Sequence, residues 1–160
     1  MITLNWLQGP EQLAARLNGT RIRAANALAT QLYISMGNLR EYIVGSKLSG
    51  QVLRHRTGNL INSIFPSVEQ SLDQSKLTGK VLVDNTAPYG RYHEYGAHIP
   101  ERVPIRAKAM HWMNGGKDVF AMRARAFDLP ARSFMRSSLK EKRQEIITAL
   151  ATALNRAVNR

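Results

Sequence analysis

Residues 110–127 read MHWMNGGKDVFAMRARAF. Two runs of bulky side chains, Met110–Met113 and Val119–Phe127, flank Asn114-Gly115-Gly116. Asn-Gly supplies the consecutive positive-φ residues that a tight hairpin turn needs, so this stretch predicts two antiparallel strands. Leu129-Pro130-Ala131-Arg132 ends the second strand, because proline cannot continue a sheet ladder. Ser133 is then the expected cap of a last helix, whose apolar face is Met135, Leu139, Ile146, Leu150, Leu154 and Val158.

Earlier in the chain, Leu60–Val68 and Lys76–Asp84 predict two more strands, the second carrying the β-rich run Val81-Leu82-Val83. Ala87–Gly96 holds Tyr89, Tyr92 and Tyr95 between Pro88 and Gly96 and predicts a short helix or turn. Ile99–Arg106, with Pro100 and Pro104, predicts an extended loop. Gly9-Pro10-Glu11 opens a helix with proline at its first position and an acid in its first turn. Leu13, Leu17, Ala24, Leu28, Leu32, Leu39 and Ile43 repeat with helical spacing, so most of Glu11–Val44 is expected to be helical, with a possible break at Asn18-Gly19-Thr20. Gly45–Arg56 predicts a polar loop that exposes Lys47, Arg54 and Arg56. Helix, strands, short helix, hairpin and helix make an α+β fold: a central antiparallel sheet of about four strands, with the long terminal helices packed on one face. Residues 1–160 are expected to form a single domain.

The net charge is +12, which points to a polyanionic neighbour, nucleic acid first. Arg102–Arg136 holds eight basic residues and two acids, half of the whole excess, so its field is mostly of one sign. The chain has no cysteine, which excludes disulfides, thiol catalysis and cysteine-ligated zinc and fits synthesis in a cytoplasm. No segment is long and apolar enough to span a bilayer, and Met1–Leu7 lacks the pattern of a secretion signal.

Chemistry-bearing patterns fail on spacing. His93-Glu94 and His98 suggest a zinc helix, but the histidines lie five apart rather than four, with Gly96 between them. His111, beside Trp112 on a predicted strand, reads as a packed or edge residue. No serine lies in Gly-x-Ser-x-Gly, and Gly115-Gly116 lacks the Gly-Lys-Ser/Thr end of a phosphate loop. Glu94 and Glu101 are separated by a proline loop, although folding can unite distant acids. The expectation is no catalytic residue, no cofactor and no metal, and hence no enzyme.

Pro88-Tyr89-Gly90-Arg91-Tyr92-His93-Glu94-Tyr95-Gly96 resembles the aromatic, His/Gln-Glu-aromatic-Gly signature of the tail-completion and head–tail joining proteins of long-tailed bacteriophages, including the phage Mu virion-morphogenesis type. Ala107–Trp112, Gly115-Gly116 and Val119–Ala121 are similar to that family's loop and hairpin. Leu129-Pro130-Ala131-Arg132-Ser133-Phe134-Met135 is similar to its Pro-Ala-Arg-Pro-Phe-Leu element, and Thr57–Ile64 to its Thr-Gly-x-Leu-x-x-Ser-Ile stretch. The pieces stand in the family's order over about Thr57–Leu139. Ala97-His98 departs from the usual Gly-Thr, and Ser133 from a proline.

The resemblance implies a ring, most often of six subunits, between the head connector or adaptor and the tail terminator or tail tube. The location it implies is the virion neck, reached by assembly in the host cytoplasm, with duplex DNA passing through the lumen without sequence reading. Tyr92, Glu94, Tyr95 and Arg132 are the candidate ring or partner interface, with Arg132 pairing a carboxylate such as Glu94 within the subunit or across the ring. The tyrosines suit packing and interfaces equally, whereas Phe134 is expected to pack under the helices. Lys47, Arg54, Arg56, Arg102, Arg106 and Lys108 are the candidate contacts to DNA phosphates or to acidic faces of neighbouring rings. A free, sequence-independent nucleic-acid-binding protein is the alternative.

Overall fold

The computed structural model describes residues 10–53, 58–71, 76–105 and 108–159. Helix α1 (Pro10–Tyr42) runs without a break into a π-helical turn, Ile43–Lys47. A short helix α2 (Asn59–Asn62) leads to strands β1 (Ile64–Gln70) and β2 (Leu77–Val83). Helix α3 (Gly90–Tyr95) is followed by β3 (Ala97–Ile99), β4 (Met110–Asn114), β5 (Lys117–Ala121), β6 (Phe127–Leu129) and the last helix, α4 (Phe134–Val158). Among the described residues no helix is long and apolar enough to cross a membrane.

The body is a helix pair with a ribbon on it. Helices α1 and α4 pack along each other, and the β1–β2 ribbon packs on α1. Alternation along the ribbon fixes which face goes in. Ile64, buried, stands opposite Val83 in the antiparallel register, and Pro66 opposite Val81, whereas Phe65 and Leu82 form an exposed pair. Gly79 sits where the ribbon comes closest to α1: a Cβ there would lie 2.9 Å from side-chain atoms of Leu32 and Met36. The core gathers Met36, Leu39, Ile43, Leu48, Leu53, Ile64 and Phe134, with Phe134 fully buried as the sequence predicts.

Three expectations change. The helix passes through Asn18-Gly19-Thr20, where the Thr20 hydroxyl donates to the carbonyl of Arg16. One glycine costs a helix only about 1 kcal/mol against alanine. Residues 45–47 continue the helix instead of opening a loop. Leu48 donates its N–H to the carbonyl of Ile43, five residues back, and that wider turn directs both Ile43 and Leu48 into the core.

The third change concerns the sheet. The strands do not join into one four-stranded sheet but pair as three two-stranded units: β1–β2, β3–β6 and β4–β5. The last two lie along one ribbon. Ala97 faces Leu129, the backbone of Arg102 exchanges two hydrogen bonds with that of Ala124, and Met110 faces Ala121. Residues 97–105 and 108–129 therefore make one long antiparallel arm, closed at its tip by Gly115 (φ 59°) and Gly116 (φ 81°). The pairing register differs by five residues between Arg102↔Ala124 and Met110↔Ala121. The return strand from Lys117 to Leu129, at about 3.3 Å per residue, reaches at most on the order of 40 Å. The β4–β5 tip makes no sizeable contact with another helix or strand among the described residues.

Candidate functional site

The arm is joined to the body at one knot, built from the two motifs that flank it. Helix α3 places Glu94 inward, with its side chain 4% exposed. Its carboxylate accepts from the backbone N–H of Met135 (2.8 Å) and of Arg136 (3.0 Å), the second and third residues of α4. It also accepts from the Arg136 Nε (3.0 Å) and the Ser133 hydroxyl (3.2 Å). A helix N-terminus carries unpaired N–H groups and partial positive charge, so a carboxylate is the fitting cap. Burial alone pushes the Glu94 carboxyl up. The hydrogen bonds from Met135 and Arg136 outweigh it and hold the group below the ordinary carboxylate range.

The Ser133 side chain makes no capping bond to α4 itself and serves Glu94 instead. Within the subunit the partner of Glu94 is Arg136 and not Arg132. Arg132 contributes its backbone, donating to the carbonyl of His93 at 2.6 Å, and its side chain is exposed. Arg136 also donates to the backbone carbonyl of Glu94 (3.1 Å) and lies 4.6 Å from the Tyr95 ring centroid. Gly96 makes the turn into β3 at φ 78°, ψ 164°, and a Cβ there would stand 3.0 Å from the Ala131 nitrogen and the Leu129 oxygen. Only glycine fits that backbone and that space.

On the other side of α3 a cleft of about 390 Å³ opens, lined by Tyr89, Tyr92, His93, Ile99, Arg102 and Phe127 among others. His93 Nδ1 is buried without a hydrogen-bond partner among the described residues. Burial, and then the nearby Arg132 charge, push its pKa down and favour the neutral ring. Arg91 donates to the Tyr92 hydroxyl (3.0 Å) and lies 4.9 Å from its ring centroid, and that hydrogen bond lowers the phenol pKa. Tyr92 and Tyr95 are 38% and 65% exposed, so neither is a core residue.

The candidate cations separate into three groups. Arg102 and Lys108 are exposed on the arm, and neither carries an ion pair among the described residues. Arg54, Arg56 and Arg106 lie outside the described residues. Lys47 departs from expectation. It is buried, 8% exposed in its side chain, and bonds Glu141 of α4 at 2.8 Å. Glu141 also accepts from the Tyr42 hydroxyl at 2.6 Å, so Lys47 ties the π turn to α4 and is not available to DNA.

Chemically, the knot is saturated. The two exposed His–Asp pairs, His98–Asp128 (2.6 Å) and His111–Asp118 (2.7 Å), bridge opposite strands of the arm. No group of three or more metal-ligating side chains occurs among the described residues. Sequence reading missed Glu94 as the cap of α4. The signal was present: the first turn of α4 has no acid, with Arg136 where a capping box carries glutamate. No family model, curated protein or solved structure matches the chain.

Proposed function

We propose that this chain is a structural virion protein of a long-tailed bacteriophage. It forms a ring, most often of six copies in the family it resembles, at the head–tail junction. There it completes the tail and joins it to the head connector, with DNA passing through the lumen. The observation that carries this reading is the ordered resemblance over Thr57–Leu139. The fold supports it in one respect: the two most characteristic pieces, around Glu94 and around Phe134, form the knot that holds a long arm. In this reading the work is geometric, and no residue has a catalytic role. The exposed cations Arg102 and Lys108 face DNA phosphates or acidic neighbouring rings.

A second reading, a free nucleic-acid-binding protein, draws on the +12 charge. Native mass and duplex binding of the purified chain separate the two. A joining subunit gives a closed ring, or a monomer that assembles on tail ends. A free binder making six to ten phosphate contacts stays monomeric and loses roughly 10³–10⁵ in affinity between 50 and 200 mM salt.

A further inference from the structure

The outer edge of β2 is open. Asp84 donates its N–H to the carbonyl of Ser63, so the alternating antiparallel pattern turns the N–H and C=O groups of Val83, Val81 and Gly79 away from β1. No backbone group of another described element bonds them. A groove of about 500 Å³ runs along this edge. Residues 79–83 line it one after another, as a strand edge does and a strand face does not, and Met36, Leu39, Met135 and Leu139 supply apolar walls. An open strand edge beside an apolar groove is the arrangement that accepts an added strand.

The sequence ahead of α1 has the pattern that such an edge takes. Residues 1–9 lie outside the described residues. Ile2, Leu4 and Trp6 are apolar, Thr3 and Asn5 alternate with them, and nothing from Ile2 to Gly9 is charged. Alternation with period two is the signature of a half-buried strand, and the lack of charge suits an apolar groove. Pro10 opens α1, and the residue before a proline is biased to extended backbone.

That segment cannot serve its own subunit. Gly79 packs on Leu32 and Met36, whereas Ile64, opposite Val83, accepts from Arg40 further along α1, so Gly79 marks the end of the groove nearer to Pro10. From Pro10 to Leu32 the helix rises about 33 Å, 1.5 Å per residue. Fully extended, the chain from Pro10 back to Ile2 spans only about 26 Å, 3.3 Å per residue. The edge within its reach is that of a second copy.

We propose that residues 2–7 of one copy add as a third strand to the β2 edge of the next. Ile2, Leu4 and Trp6 then seat in the groove, and Thr3 and Asn5 stand on the outer face with Leu82. This rests on the ring reading above and names its interface. Segment and groove are different surfaces of one chain, so the contact is head-to-tail and propagates until it closes.

The absence of cysteine allows a clean test. Asn5→Cys and Leu82→Cys are made singly and together in the full chain and treated with a short bismaleimide. Mixing the two single variants gives a crosslinked dimer, and the double variant gives a ladder of multimers. Product confined to one copy overturns the exchange, as does no intermolecular product at any concentration. A second pair keeps the two surfaces apart. Trp6→Asp spoils only the donated strand, and Leu139→Glu, at a half-exposed position, puts a charge only in the groove. Each variant alone is folded by thermal melting and stays monomeric, whereas the mixture forms a dimer that grows no further. Native mass separates this interface from the ring itself. Closed rings formed by Trp6→Asp overturn the exchange and leave the ring standing. Crosslinked open chains that never close uphold the exchange and remove the ring.

Discussion

Arg136 gives Glu94 three hydrogen bonds, from its backbone N–H and its Nε to the carboxylate and from its Nη2 to the carbonyl oxygen. One residue of the last helix thus grips the helix that precedes the arm. Glu94→Gln keeps the shape but loses the charge that offsets the helix N-terminus. The loss of charge-assisted bonds in a buried site amounts to about 2 kcal/mol of unfolding free energy, read by chemical denaturation at neutral pH.

The same carboxylate sets a pH dependence. Its folded pKa lies below its unfolded value, so its contribution is complete above the ordinary carboxylate range and is lost as pH falls through the depressed folded pKa. The gap between the native chain and Glu94→Gln should therefore be constant near neutrality and shrink in acid. His93 acts earlier. Its folded pKa is also lowered, so the unfolded chain takes up the proton first, and stability falls as pH drops below about 6.5. His93→Gln should remove that shallower limb in the same melting series.

Gly96→Ala tests the turn into the arm. Its backbone lies in a region that only glycine occupies freely, which costs alanine roughly 1–3 kcal/mol before any clash. The added Cβ also meets backbone atoms of Leu129 and Ala131, which cannot swing aside. Thermal melting should show a loss at least as large as that of Glu94→Gln, and limited proteolysis should cut first within the arm.

Lys47→Ala distinguishes a buried tie from a DNA contact. With its ammonium on Glu141, removal should lower the melting temperature and leave the salt dependence of duplex binding unchanged. Arg102→Ala and Lys108→Ala, on exposed arm positions, should do the reverse, each reducing the salt slope by about 1 if it meets a phosphate.

Periodicity in the sequence located both long helices, β2, most of β1 and the hairpin turn at Gly115-Gly116, because those signals are local; residues 60–62, read as strand, fold into α2 instead. Strand partners are not local. Nothing in the pattern of Met110–Phe127 says that it extends an arm from Ala97 rather than joining Val81, and the sheet expectation failed there. Lys47 was misplaced for a related reason. Gly45-Ser46 reads as a loop, but burial of Ile43 and Leu48 on either side holds the chain helical. Of the candidate site, Glu94 and the tyrosines were legible as a motif. The bond to the start of α4 was not, since forty residues separate its ends.

A neck subunit has a fixed place in the particle, so imaging particles tests the proposed function most directly. Virions from a cell that produces this chain with a small epitope tag are labelled and examined by electron microscopy. Label at the junction of head and tail, with tails left unjoined when the gene is disrupted, is the predicted result. Finished particles that carry none of the protein would contradict the account.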